Sequence, residues 1–236
     1  VIAGAPHAWR WEHHGELAST QDRAIAAAKA GENGQLAILA DRQTAGRGSR
    51  GRAWCAPEGN LNLSLLVRPH QAAADPGRWS LLAALALHTA LCPYAPGLLL
   101  KWPNDVLLAG AKLAGILIDS QLGRNTTLDW VVIGLGANLA AAPTIPGRPT
   151  AHLPPPAPAP ATIAAAITRA IDAHAHLPTA AIAAAWLVHA HPIGTALDIR
   201  TPTATFAGTF AGLTPAGALL LHNHPCPITS AEVFVS

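Results

Sequence analysis

Residues Lys101-Trp102-Pro103-Asn104-Asp105-Val106-Leu107-Leu108-Ala109-Gly110-Ala111-Lys112-Leu113-Ala114-Gly115-Ile116-Leu117 decide how this chain is read. Apolar, strand-like runs at 98–102 and 113–120 flank a polar Pro-Asn-Asp loop. A turn at Gly110 that reverses the chain brings Lys101 and Lys112 near each other, beside an acid, Asp105, able to hold Mg²⁺. Two ammonium charges and a metal ion stabilise the charge that develops when an anionic nucleophile attacks a phosphate. The same spacing also suits an ordinary hairpin with surface lysines, so spacing alone leaves both readings open. The segment is marked by rarity: the chain has three lysines, Lys29, Lys101 and Lys112, against twelve arginines.

Outward from this hairpin the pattern alternates between strands and helices. Ser19-Thr20-Gln21-Asp22 supplies a hydroxyl cap and an early acid for an Ala-rich helix over about 20–30, closed by Gly31, after an irregular start. Gln35–Asp41 suits a buried strand, Leu61–Arg68 alternates as a half-buried strand does, and Trp130–Leu135 reads as another strand. A helix over Arg78–Leu91 stops at Pro93, and a loop contains Gly123-Arg124-Asn125. Pro143–Pro160 holds eight prolines in eighteen residues, which makes it an extended surface connection. Helices at about 161–176 and 179–190 follow, then short strands at 196–201, 205–213, 218–222 and 232–235. The pattern is α+β: a sheet of mixed strand direction with helices against it, then a small barrel-like β segment.

Composition bounds the function. The chain has 236 residues, with 52 Ala and only 12% charged residues, so its apolar fraction is swollen by methyl groups. No apolar run reaches the roughly 18 residues of a spanning helix, so no membrane partner is expected. No basic start with an apolar stretch and small-residue cleavage site opens the chain, so the cytoplasm is expected. A formal net charge of +2 is too small for electrostatic binding of long nucleic acid, so any basic function is local. Three widely spaced cysteines, Cys55, Cys92 and Cys226, suggest reduced thiols. His222-Asn-His224-Pro-Cys226 has soft donors but no second ligand pair to complete a zinc site.

The local basic charge lies in Gly46-Arg47-Gly48-Ser49-Arg50-Gly51-Arg52, read as a flexible loop. Its glycines let backbone N–H groups approach a phosphate and its arginines supply forked donors. No Walker lysine follows, and the loop runs into a strand, which excludes the usual dinucleotide fingerprint.

This loop with Trp54, then Lys101-Trp-Pro-Asn-Asp105, Lys112-Leu-Ala-Gly-Ile-Leu117 and Ile133-Gly-Leu-Gly-Ala-Asn138, in that order, resembles the biotin protein ligases. Gly212–Leu221 is similar to their small C-terminal domain. The resemblance covers about residues 15–140 strongly and the terminal stretch weakly. It implies a class II aminoacyl-tRNA synthetase-like catalytic domain over 1–190 and an SH3-like β-barrel over 191–236. It also implies ATP and Mg²⁺ as cofactors, biotin as substrate, and a biotin carboxyl carrier protein as partner, and leaves a homodimer open. Eighteen residues precede Ser19, so the likeness is to monofunctional members without a DNA-binding domain.

Carried over by position, Lys112, Lys101 and Arg47 are the implied catalytic residues. Ser19, Thr20, Gln21, Gln43, Arg47, Gly48, Ser49, Lys112 and Gly115 are the implied biotin contacts. Arg50, Arg52, Trp54, Asn104, Asp105 and Asn138 are the ATP set, with Trp54 as a wall for adenine and Asp105 as the Mg²⁺ ligand. Two positions depart from the family pattern: Gln21 stands for its usual Asn, and Ser49 for a residue that is often basic. A lipoate or octanoyl ligase of related fold, and a non-catalytic RNA-binding module, are the alternatives.

Overall fold

The computed structural model describes residues 9–69, 76–123 and 127–235, so Arg124 and Asn125 of the expected loop lie outside the described residues. The elements in chain order are β1 (Arg10–Leu17), α1 (Thr20–Lys29), β2 (Leu36–Gln43), β3 (Leu61–Val67), α2 (Pro76–Leu91), β4 (Leu98–Lys101), β5 (Asp105–Leu108), β6 (Ala111–Leu122) and β7 (Leu128–Ala137). After them come α3 (Pro160–His174), α4 (Thr179–Val188), β8 (Ala196–Arg200), β9 (Thr205–Leu213), β10 (Leu219–Leu221) and β11 (Glu232–Val235).

A seven-stranded sheet has the order β1-β2-β3-β7-β6-β5-β4. Its β1–β2 pair is parallel, with α1 as the crossover, and its other pairs are antiparallel, so strand direction is mixed as the sequence suggests. The start is not irregular: β1 is an edge strand whose charged residues Arg10, Glu12 and Glu16 face solvent or one another. Such a strand lacks the apolar alternation by which strands are recognised, because its edge stays wet.

The two faces of the sheet are covered unequally. Leu61, Leu63, Leu65 and Val67 of β3, with Val131, Ile133 and Leu135 of β7, pack into one large core with α2, α3 and α4. Opposite, α1 sets Ala24, Ala27 and Ala28 on Leu36, Ile38, Leu66, Trp130 and Val132, a much smaller core. The ten-residue α1 covers only part of that face. The uncovered part carries Asn62 and Ser64 of β3 and Gly134 and Gly136 of β7, and there the sheet lines a cavity. All seven residues of β3 are buried, so the expected half-buried strand is instead buried on both sides.

A second sheet, β10-β9-β8-β11, is antiparallel. Its Leu197, Ile199, Phe210 and Val233 join the large core. Trp102 Nε1 donates to Gly217 O at 3.0 Å and Lys101 Nζ to Val233 O at 2.9 Å, which ties the two sheets together beside the hairpin. No helix among the described residues is long and apolar enough to cross a membrane.

Candidate active site

Two neighbouring cavities meet at Lys112, Ser49 and Asn104. The deeper, of about 40 Å³, lies against the sheet where α1 stops covering it. The wider, of about 350 Å³, lies between the Lys101–Lys112 hairpin, the basic loop and β11.

Thr20, Gln21 and Gln43 meet at the polar end of the deep cavity because α1 begins where β1 ends and β2 ends alongside it. Thr20 N–H and Thr20 Oγ1 both donate to Gln43 Oε1, at 2.8 and 3.0 Å. Gln21 Nε2 donates to Asp119 Oδ2 at 2.9 Å and to Val132 O at 3.3 Å, while its Oε1 accepts from Ser64 Oγ at 3.0 Å. Gly134 leaves room for the longer glutamine: a Cβ there would stand 2.6 Å from Gln21 Oε1. Arg47, Gly48, Ser49, Lys112 and Gly115 also line this cavity. Ser19 does not line it. Its hydroxyl accepts from Asp22 N–H at 3.3 Å as the N-cap of α1, so a residue expected to contact substrate instead satisfies an orphan helix donor.

The basic segment is not a free loop. Arg47 and Ala53 form an antiparallel bridge, Gly48 N–H donates to Arg52 O at 2.7 Å, and Trp54 N–H donates to Gly46 O at 2.9 Å. The tip turns through Arg50, whose φ of 59° is rare for a side-chain-bearing residue. This folding carries Trp54 into the deep cavity, where its indole lies on Gly136 and under Lys112 Nζ, 6.0 Å from the ring centroid. Trp54 therefore does not wall the wider cavity, as expected for adenine. Its Nε1 is buried without a partner, a donor in want of an acceptor. Arg47 pairs with Asp22 at 2.7 Å and with Asp119 at 3.5 Å, so it is tethered beside the deep cavity.

At the junction the sequence hairpin becomes three strands. Ala109 and Gly110, at φ 50° and 78°, make the two-residue turn between β5 and β6, as Gly110 suggests. Lys101 faces Asp105 across β4–β5, and a bulge in β6 lets Lys112 reach the same carboxylate. Asp105 Oδ2 pairs with Lys101 at 2.9 Å and Oδ1 with Lys112. Burial alone raises the Asp105 pKa, but attraction to Lys112 and then Lys101 outweighs it, so the carboxyl lies below its ordinary range. Both oxygens are thus committed to ammonium groups. No group of three or more His, Cys, Asp or Glu that could hold a metal exists among the described residues. Asp105, read from the sequence as the Mg²⁺ ligand, stands here as the shared ion-pair partner of the two lysines.

Arg50 and Arg52 line the wider cavity, as do Asn104 and Asp105. Asn138 lines neither cavity: it is buried beneath Lys112, donating to Ala151 O at 3.0 Å and to Lys112 O at 3.4 Å, with Oδ1 left unpartnered. Residues that sequence reasoning missed complete both walls. Glu232 of β11 gathers Arg52, Arg148 at 3.1 Å and Arg50 at 3.8 Å. Burial pushes the Glu232 pKa up, but Arg52 and the other guanidinium groups pull it further down. The hairpin and this cluster place five cationic side chains against two carboxylates, a surplus suited to an anion. Asn62 and Ser64 had a legible signal, being polar residues alternating with leucines. Glu232 and Asp119 had none.

A family model described as the biotin/lipoate A/B protein ligase family matches residues 17–138. A biotin–[acetyl-CoA-carboxylase] ligase of Paracoccus denitrificans is 39% identical over 224 residues, covering 86% of this chain and 92% of that protein. A bifunctional ligase/repressor BirA of Bacillus subtilis is 37% identical over 134 residues, 56% of this chain and 41% of that protein. A biotin protein ligase from Aquifex aeolicus in complex with biotin and ATP shares the fold, with a TM-score of 0.78 at 23% identity over 96% of this chain and 99% of that chain. Matched by the family model over half its length, and sharing nearly the full length of one relative, this chain belongs to the biotin/lipoate A/B protein ligase family.

Proposed function

We propose that this chain is an ATP-dependent biotin–protein ligase. The observation that carries the reading is the meeting, at Lys112, of a narrow cavity with an uncharged polar end and a wide cavity rich in cations. Biotin enters the first with its ring among Thr20, Gln21 and Gln43 and its carboxylate towards Lys112. ATP enters the second, where Arg50 and Arg52 meet its phosphates, while Asn138, outside the cavity, supports Lys112 from beneath through that lysine's backbone carbonyl. The biotin carboxylate oxygen attacks the α-phosphorus, the bond to the bridging oxygen breaks, and pyrophosphate leaves with that electron pair. Carboxylate and phosphate repel each other, and Lys112 with Arg47 offsets the repulsion at the point of attack. Mg²⁺ shields the phosphates with which it travels, and no side chain here is assigned to hold it. In the second step a lysine amine of a carboxyl carrier protein attacks the acyl carbonyl of biotinyl-5′-AMP, and AMP leaves as the amide forms.

Residues 1–190 form the catalytic domain in this reading, and 191–236 an SH3-like domain that lends Glu232 to the nucleotide cavity. The tight packing of segment 46–54 excludes water from the adenylate once closed, and opening of the segment admits substrate, since the Trp54 ring sits within the cavity on Gly136. The cytoplasm supplies both ATP and the carrier. Pyrophosphate release from ATP, measured with biotin, with lipoate and with no acid, tests the reading, followed by labelling of a carrier domain. Release with biotin and a labelled carrier lysine are expected. Release with lipoate alone would assign the other branch of the family, and RNA binding without release would leave a binding module.

A further inference from the structure

We propose that Asp119 is a specificity-determining positioning residue: it locks the Gln21 amide with its oxygen towards the cavity, so that the polar end of the pocket reads N–H donors on the substrate ring. The inference rests on the ligase reading above and deepens it. An amide side chain can turn end for end, exchanging a donor for an acceptor. In Gln21 that freedom is removed, because the nitrogen faces two groups that can only accept, the Asp119 carboxylate at 2.9 Å and the Val132 carbonyl at 3.3 Å. The oxygen is left on the side of Ser64 and Gly134, both of which line the cavity. Gln43 is fixed in the same sense. The Thr20 backbone N–H can only donate, so the atom it meets at 2.8 Å is the amide oxygen, and Gln43 Nε2 turns away to Asn62 Oδ1 at 3.1 Å.

Between these two amide oxygens run the hydroxyls of Thr20 and Ser64. The side-chain contacts are Gln43 Oε1 to Thr20 Oγ1 at 3.0 Å, Thr20 Oγ1 to Ser64 Oγ at 2.9 Å, and Ser64 Oγ to Gln21 Oε1 at 3.0 Å. With the Thr20 N–H on Gln43 Oε1, these four oxygens receive three hydrogens between them, so the chain is short of donors and keeps lone pairs free in a buried place. A ring N–H arriving from the cavity donates to one of these lone pairs. A cyclic urea has two such groups, whereas a dithiolane ring or an alkyl chain has none. Were the Gln21 amide reversed, its nitrogen would bring donors to this end and the deficit would vanish, and with it the preference for a ring N–H.

The test measures biotin binding and biotin-dependent pyrophosphate release by the full chain, against a biotin analogue methylated on both ring nitrogens. The parent is expected to favour biotin by about a hundredfold or more. In Asp119→Asn the introduced amide can donate to a turned Gln21, and the biotin-to-analogue ratio should fall by about tenfold, mostly through KM. The bulk of the methyl groups cancels in this ratio of ratios. The double variant Gln21→Asn with Asp119→Glu moves one methylene across the contact and should restore the parent ratio. Asp22→Asn removes the nearer partner of Arg47 and should leave the ratio unchanged; a loss of discrimination there would reassign it to Arg47 and overturn the proposal. An active parent whose ratio is unmoved by Asp119→Asn overturns this inference alone. A parent that releases no pyrophosphate with any acid overturns the ligase reading as well.

Discussion

Lys112 occupies the one point where the two cavities, the indole of Trp54 and the carboxylate of Asp105 come together. Gly115 makes this possible, since a Cβ there would stand 3.0 Å from the lysine's Cε and Nζ. The Lys112→Ala variant should lose adenylation by about a hundredfold to a thousandfold, the usual effect of removing a preorganised charge from a transition state. Its fold should persist, because Asp105 keeps Lys101. Pyrophosphate release beside a far-ultraviolet spectrum checks both halves, and near-parent turnover would remove the assigned role. That this lysine mattered was legible in its rarity; that Asp105 pairs with both lysines at once was not, since sequence cannot show which way two carboxylate oxygens point. Ser19 makes the same point. Its neighbours Thr20 and Gln21 do line the cavity, but a residue earlier the chain is still extended, at φ −156°, and the hydroxyl turns back onto the helix. Ser19→Ala should therefore lower stability by about 1 kcal/mol in urea titration and leave the biotin KM within about twofold.

Among the elements, β3 and the segment 46–54 differ most in how far their sequences disclose them. The leucine alternation of β3 located the strand and its core face, and the polar residues between the leucines implied solvent on the other. Asn62 and Ser64 are instead buried at the cavity wall, because a face left bare by one short helix is covered by a folded loop. The loop's glycines suggested mobility, yet Gly46 and Gly136 are needed for close contact: a Cβ on either would overlap Trp54, at its carbonyl in the first case and its ring in the second. Gly136 of β7 thus makes a seat for the indole, a long-range reason that composition cannot reveal. Gly136→Ala should unseat Trp54 and open the segment. Trypsin should then cleave after Arg47, Arg50 or Arg52 at least several times faster than in the parent, and biotin should no longer slow the cut. Equal cleavage rates would mean that the indole does not hold the segment closed.

At the scale of the molecule, the large core runs without a break from the seven-stranded sheet into the C-terminal one, so acid should act on one cooperative unit. Three histidines gather where α2 meets the end of α4. His88 stacks on His189 with centroids 3.9 Å apart, and its pKa is lowered first by burial and then by repulsion from His189. His191 is lowered by burial and then by Lys101, and its Nε2 is buried without a partner. A histidine whose folded pKa is depressed is fully stabilising above its unfolded value, near 6.5, because below that value the unfolded chain takes up a proton that the native state refuses. Stability should therefore fall as pH drops below about 6.5. A second fall should begin below about 4, as Asp105 and Glu232, both held below the usual carboxylate range, are forced to protonate and release their lysines and arginines. The two steps have the same sign and separate windows, and so can be assigned. His88→Phe keeps a ring on His189 but removes one titrating group, so urea midpoints measured from pH 7 to pH 5 should decline less steeply than in the parent, while the fall below pH 4 is unchanged. A parent midpoint that stays flat from pH 7 to 5, or an unaltered slope in the variant, would show that this buried junction does not set the acid limit of the fold.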